Sequence, residues 1–219
     1  MARQLYEYWF VQFDFPDENG RPYKSSGGKM VWSDELNQEI PFSWEVVRVR
    51  DKLKVFTGKK DVSEAKPGPY PFYSCAATPK TSDEFIFDGK AIIISGNGAY
   101  TGRVNFADGK FDLYQRTYAC VAREIPSNIA FHYNSFKCLF EPIMYLKLRG
   151  STIPYIVLSD IDNFCFCFNQ EYVDYYSKIA LNMLDLAVNL QKQNMFLIEQ
   201  RNYLIRSLMN NTIAFTTSN

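Results

Sequence analysis

The chain has 219 residues, enough for one sizeable core plus a long extra element, and 47% of them are apolar, which excludes a disordered tail or linker. Lysine and arginine total 24, as do aspartate and glutamate, so the formal net charge is zero. Bulk charge therefore does not mark a nucleic-acid binder, and any such site must be a local patch.

Charged or polar residues interrupt every apolar run, so no transmembrane span is expected. Met1-Ala2-Arg3-Gln4-Leu5 lacks the pattern of a signal peptide. The five cysteines (Cys75, Cys120, Cys138, Cys165 and Cys167) are an odd number without a Cys-x-x-Cys pair. Together these features predict reduced thiols in a cytoplasm. His132 is the only histidine, so neither a structural zinc site nor a nucleophile–base pair is expected.

In chain order, Leu5 to Phe15 is dense in aromatics (Tyr6, Tyr8, Trp9, Phe10, Phe13 and Phe15), and Leu5, Tyr8 or Trp9, and Gln12 or Phe13 fit helical spacing, which predicts the closing turns of a helix stopped by Pro16. Asp17 to Lys29 is polar and turn-rich. Ser33 is expected to cap a short helix with Leu36 and Ile40 as its apolar contacts, closed by Pro41. From Trp44 the pattern becomes β-like: Trp44–Val49, Tyr70–Cys75, Ala91–Ser95, Ala99–Phe106 and Arg116–Ala122. Turn residues separate these runs at Pro67-Gly68-Pro69, Asp88-Gly89, Gly96-Asn97-Gly98 and Asp108-Gly109, the last of which reads as a hairpin turn. Asn128 to Leu148 predicts a helix with Phe131, Phe136 and Phe140 inward, ended by Gly150. In the apolar run Phe164-Cys-Phe-Cys-Phe168, a strand would put both cysteines on one face.

Glu171 to Asn210 holds no glycine or proline. Met183, Leu190, Leu197 and Leu204 recur at intervals of seven, flanked by Ile179, Leu186, Ala187 and Leu208. That is a coiled-coil seam, and a lone helix cannot bury its own stripe. Met183, Leu186, Leu190, Leu197 and Leu204 are therefore expected to pair with a partner helix, either from a second copy or from another chain.

Chemistry-bearing residues are sparse. Ser95-Gly96-Asn97-Gly98-Ala99-Tyr100-Thr101-Gly102 fails the G-x-G-x-x-G pattern, because Thr101 stands where the third glycine belongs. It reads either as a glycine-rich hairpin or as a loop whose backbone can approach DNA closely. Asp51, Glu64 and Lys66 mimic the acid–acid–lysine set of a nuclease, but Glu64 and Lys66 precede Pro67 in a turn, and Asp160-Ile161-Asp162 reads as solvated acids. There is no Asn-Pro-Pro-Tyr methyltransferase tetrapeptide and no Walker loop. Between Lys90 and Arg123, the cations Lys90, Arg103, Lys110, Arg116 and Arg123 outnumber Asp108 and Asp112, and Tyr100, Tyr114, Gln115 and Tyr118 lie among them. Such a face suits DNA, and it equally suits a solvated sheet.

Three segments resemble the specificity subunits of type I restriction–modification systems. The first runs Ala2-Arg3-Gln4-Leu5-Tyr6-Glu7-Tyr8-Trp9-Phe10-Val11-Gln12-Phe13-Asp14-Phe15-Pro16, through Lys24-Ser-Ser-Gly-Gly-Lys-Met30, to Glu39-Ile40-Pro41 and Trp44-Glu45-Val46. It looks like the family's junction from its central conserved helix into a target-recognition domain. The second, Gly150-Ser151-Thr152-Ile153-Pro154-Tyr155, is similar to the loop that closes such domains. The third, Ile198 to Ile205 with Leu208-Met209-Asn210, is similar to the end of the distal conserved helix. The family's usual proline-rich lead-in to that helix is replaced here by Phe166-Cys-Phe-Asn-Gln-Glu171.

The resemblance implies an α+β fold with three parts. Residues 1–39 would be the end of a conserved helix and a linker, 40–165 a mainly β target-recognition domain, and 166–219 a long coiled-coil spacer helix. A complete subunit of the family carries two recognition domains, each reading half of a split DNA target. This chain looks like a half-subunit with one domain and one full conserved helix. The expected function is non-catalytic, sequence-specific recognition of double-stranded DNA, in defence against foreign DNA in a bacterial or archaeal cytoplasm. The expected partners are methyltransferase subunits, motor–nuclease (restriction) subunits, and a second copy or another specificity chain. S-adenosylmethionine and ATP would belong to those partners, with no cofactor or metal in this chain. An alternative is an assembly or scaffold piece that docks without reading DNA. The family numbers no base contact. The residues themselves point first to Gly96, Asn97, Gly98, Tyr100 and Arg103, then to Gln115 and Arg116, then to Lys147, Arg149, Ser151 and Thr152.

Overall fold

The computed structural model describes residues 1–147 and 154–209. It is an α+β chain that divides into two compact units, Met1–Leu181 and Asn182–Asn219. In chain order the helices are α1 (Ala2–Tyr6), α2 (Val49–Lys52), α3 (Ile129–Ser135), α4 (Glu141–Lys147), α5 (Leu158–Asp162) and α6 (Gln170–Met209). The strands are β1 (Met30–Ser33), β2 (Gln38–Pro41), β3 (Glu45–Arg48), β4 (Leu53–Thr57), β5 (Tyr70–Tyr73), β6 (Lys80–Ser82), β7 (Phe87–Ser95), β8 (Val104–Leu113), β9 (Thr117–Ala122) and β10 (Cys165–Phe168).

α1 continues into a wider helical turn over Glu7–Val11, where the Gln12 amide donates to the Glu7 carbonyl at 2.9 Å. The chain turns at Phe13 (φ 63°), before Pro16 is reached. A left-handed phenylalanine is costly, and it is held by burial, with its ring edge-on to Trp44 at 5.7 Å. The short helix expected after Ser33 does not form. β1 and β2 make an antiparallel hairpin with Val31 opposite Ile40. Ser33 does accept the Leu36 amide at 3.3 Å, but left-handed Asn37 (φ 51°) then reverses the chain, so the serine caps a turn.

The main sheet has the order β4-β9-β7-β8-β5-β6 and is antiparallel except between β5 and β8. Neither Asp-Gly pair is a hairpin turn. β7 runs straight through Asp88-Gly89 and β8 through Asp108-Gly109, with Gly89 opposite Gly109. Their φ angles, 142° and 102°, belong to glycine, so the paired glycines bend the ladder. The reversal falls instead over residues 96–103. There Gly98–Tyr100 forms a short 3-10 turn, so the strand expected from Ala99 begins only at Val104.

The bent ladder carries the far end of β8 to the opposite edge of the sheet, where Tyr114 bridges Lys60 just beyond β4. Gly58 lies so close to the Leu113 carbonyl that no Cβ would fit. The curled sheet encloses Ala91, Ile93, Ala107, Phe111, Leu113 and Ala119. At the closure, buried Asp112 accepts Ser82 Oγ at 2.8 Å and Lys60 Nζ at 3.2 Å.

A second core is mostly aromatic. The helical run from Ile129 to Lys147 forms as its periodicity predicts, with a wider turn at Phe136–Phe140. Phe131 packs on Phe10 at 4.8 Å and on Phe166 of β10, which pairs with β3, at 5.7 Å. Tyr6 donates to Ser135 Oγ, and Tyr176 of α6 donates to the Ala2 carbonyl, both at 3.0 Å. All five cysteines are free, and burial pushes the Cys167 thiol up to about 12 and Cys138 to about 11.

The described part of the second unit, residues 182–209, is the continuation of α6. Leu186, Leu190, Leu197 and Leu204 are exposed on it, and Met183 is half-buried. The long helix fits a coiled-coil strand. Among the described residues no helix is long and apolar enough to cross a membrane.

His132 is buried between Phe131 and Phe166, and desolvation, aided by Lys52, lowers its pKa from 6.5 to about 3. The unfolded chain therefore binds a proton that the folded one refuses, and stability falls as pH drops below 6.5 towards 3. His132→Phe is expected to remove about 1.5–2 kcal/mol of the pH dependence between pH 6.5 and 5. Urea unfolding of both proteins at the two pH values checks this.

Candidate nucleic-acid interface

One rim of the curled sheet gathers several loops. The Gly96–Arg103 loop joins β7 to β8, and the Tyr114–Arg116 turn joins β8 to β9. The Gly96 amide donates to the Arg116 carbonyl at 3.0 Å, and the Gln115 amide to the Lys60 carbonyl at 3.0 Å. A Cβ on Gly96 would run into that Arg116 carbonyl and, at 2.8 Å, into the Tyr118 ring. Glycine is required here by close approach, with no call on positive φ.

The segment after residue 153 is laced to the same loop. Gly98 N donates to the Pro154 carbonyl at 3.2 Å, Thr101 Oγ1 donates to it at 3.0 Å, and Ile156 N donates to the Gly96 carbonyl at 2.8 Å. Tyr118 Oη donates to the Ile156 carbonyl at 3.1 Å, and burial raises its phenol above the usual value.

The first two groups of residues singled out in the sequence thus lie on one surface. Asn97 and Gly98 are half-buried, while Tyr100, Gln115 and Arg116 are exposed. The amide of Gln115 reaches Asp61 at 3.4 Å, long enough to be given up easily. Arg103 is placed differently. Its Nη2 donates to the carbonyls of Ala76 (2.6 Å) and Ala77 (2.9 Å), and its guanidinium lies 4.3 Å from the centre of the Tyr100 ring. Lys147 is the last residue of α4. Its side chain, and Arg149, Ser151 and Thr152 entirely, lie outside the described residues.

Sequence reasoning missed the segment after β5. Cys75 Sγ donates to the Arg116 carbonyl at 3.3 Å, and residues 76–80 are exposed on the rim. Two alanines carry no side-chain chemistry, and only their contact with Arg103 reveals them. Exposed Lys59 and Lys80 flank the surface, whereas Lys60 is taken up by Glu84 at 2.6 Å and by Asp112. The rim offers amide, hydroxyl and guanidinium groups suited to base edges, with lysines suited to phosphate.

The acids of the nuclease-like set serve as local caps. Asp51 accepts the Arg48 amide at 3.3 Å, and Glu64 accepts that of Asp61. Among the described residues no cluster of three or more His, Cys, Asp or Glu could hold a metal ion.

The family model for the type I restriction modification DNA specificity domain matches residues 41–167, the stretch that holds the whole rim. The chain belongs to this family. Over 124 residues the chain is 36% identical to the type I restriction enzyme EcoDI specificity subunit of Escherichia coli, covering 56% of this chain and 27% of that protein. Over 231 aligned residues the chain is 27% identical to the MjaIX specificity subunit of Methanocaldococcus jannaschii, covering 95% of this chain and 51% of that protein. Among solved structures, the S subunit of a type I restriction–modification system from M. genitalium has a TM-score of 0.59 at 20% identity, over 76% of this chain and 46% of that one. That likeness is one of fold. The chain spans about half or less of the length of these relatives.

Gly96→Ala should push the Arg116 carbonyl off the loop and destabilise the domain by about 1–3 kcal/mol, seen as a lower urea midpoint. An unchanged midpoint would mean that the two loops are not held together by this contact.

Proposed function

We propose that the rim reads one half of a two-part DNA target, and that the chain acts as the specificity component of a type I restriction–modification complex. The observation that carries the reading is the convergence of the Gly96–Arg103 loop with Gln115 and Arg116 on one surface of a DNA specificity domain. Gln115 and Arg116 are the leading candidates for base contact, because a guanidinium or an amide can make paired hydrogen bonds to a base edge. The chain itself supplies recognition. Methyl transfer and cleavage fall to partner subunits that use S-adenosylmethionine and ATP.

The long helix supports the assembly half of this reading. Met195, Phe196, Leu197 and Ile198 are consecutive and exposed, and at helical spacing they cover most of the circumference. A helix apolar on several sides is one made to be enclosed, here by a partner helix along Leu190, Leu197 and Leu204 and by methyltransferase subunits on its other faces. Two copies pairing antiparallel would make a two-fold reader with a palindromic target.

Affinity selection on randomised duplex DNA, with the chain in complex with its methyltransferase subunit, tests the proposal. An enriched split palindrome is the expected result. A split asymmetric motif would assign the second half to another specificity chain. No enrichment by an intact complex would overturn direct reading and favour a scaffold role. Replacing Leu190 and Leu197 together with Asn is expected to lower the solution mass by abolishing helix pairing, as light scattering would show. An unchanged mass would count against the seam.

A further inference from the structure

Arg103 has its charge committed inside the fold. One nitrogen, Nη2, bonds two successive carbonyls, those of Ala76 and Ala77, while the guanidinium lies against Tyr100 and Nε is enclosed without a protein partner among the described residues. The Arg103 backbone is fixed as well, since its amide donates to the Tyr100 carbonyl at 3.0 Å and its carbonyl accepts the Ser95 amide at 3.1 Å. Swinging the side chain out to a base would strand two carbonyls and break the ring contact. Lysine is a poorer substitute, because an ammonium that reached the two carbonyls would leave no guanidinium plane against the Tyr100 ring.

What Arg103 holds is an exposed run, Ala76-Ala77-Thr78-Pro79-Lys80. The run is tied upstream, where Ser74 Oγ accepts the Ala76 amide at 3.3 Å and Cys75 Sγ meets the Arg116 carbonyl. It is tied downstream, where Lys80 opens β6 opposite Phe72. Pro79 removes one backbone freedom between the ties. A segment fixed at both ends and gripped in the middle loses little entropy on binding. Beyond the contact of Cys75 with the Arg116 carbonyl, the exposed run carries a hydroxyl and an ammonium, groups that base edges and phosphates call for.

We propose that Arg103 is a positioning residue for DNA recognition, and that the segment it holds, residues 76–80, is a further reading element of the rim, with Thr78 at a base edge and Lys80 on phosphate. The proposal rests on the DNA-reading role given to the rim above. It moves Arg103 from reader to support and adds a specificity-determining residue, Thr78.

Two measurements on the full chain test it. In the free protein, amide hydrogen exchange at Ala76, Ala77 and Thr78 should speed up about tenfold or more in Arg103→Ala, with the sheet core unchanged. Arg103→Lys should behave in the same direction and serves if the alanine variant fails to fold. In complex with the methyltransferase subunit, selection on randomised DNA should show Thr78→Val and Arg103→Ala relaxing the same target position, with the double variant no worse than Arg103→Ala alone. Unchanged exchange would overturn the clamp. An Arg103→Ala loss at a base position of its own, adding fully to that of Thr78→Val, would make Arg103 a direct reader and overturn the proposal. Faster exchange together with a wild-type complex that selects no sequence would instead remove the DNA-reading role of the rim, and with it that of residues 76–80.

Discussion

The pairing of Gly89 with Gly109 inside the β7–β8 ladder is the constraint on which the geometry of the rim depends. Two side-chain-free residues opposite each other let a long antiparallel pair bend without a steric penalty. Because it bends, the end of β8 arrives beside Lys60, Asp112 finds Lys60 and Ser82, and the turn that follows can reach back to Gly96. With a straighter ladder, Gln115 and Arg116 would lie far from the Gly96–Arg103 loop. The buried carboxylate at the closure is tolerable because hydroxyl, ammonium and the Leu113 amide at 2.9 Å satisfy it together.

The aromatic core performs a different task. Tyr6, Phe10, Phe131, Phe166 and Tyr176 meet at centroid distances of 4.8 to 6.4 Å, mostly edge-on or tilted. They join the first helix, the Ile129 helix, the β3–β10 pair and the first turns of the long helix. Each ring brings a large apolar area, and the hydroxyls of Tyr6 and Tyr176 find oxygen partners, so little polar cost offsets the gain. His132 is tolerated inside this core only as a neutral ring.

Much of this was legible in the sequence, and the failures are instructive. The two long helical runs announce themselves because apolar spacing and the absence of breakers are local properties. The heptad of Met183, Leu190, Leu197 and Leu204 is legible for the same reason. The Asp-Gly pairs misled because a dipeptide signals a departure from ordinary backbone and cannot say whether the chain reverses or bends there. Only the pairing of Ile92–Ile94 with Val104–Phe106, a non-local fact, decides between the two. Ser33 misled in a similar way, since a capping hydroxyl serves a tight turn as well as a helix. Residue types suited to DNA were found at Gln115 and Arg116. The inward engagement of Arg103 was invisible, because its partners are backbone carbonyls of alanines.

The first and last elements of the larger unit touch. The Tyr176 hydroxyl bonds the Ala2 carbonyl, and the rings of Tyr6 and Tyr176 lie 5.9 Å apart. The chain therefore enters α6 beside the point where it left α1. Chain ends that lie together leave the span between them free to change in length and sequence with little effect on the spacing of the ends.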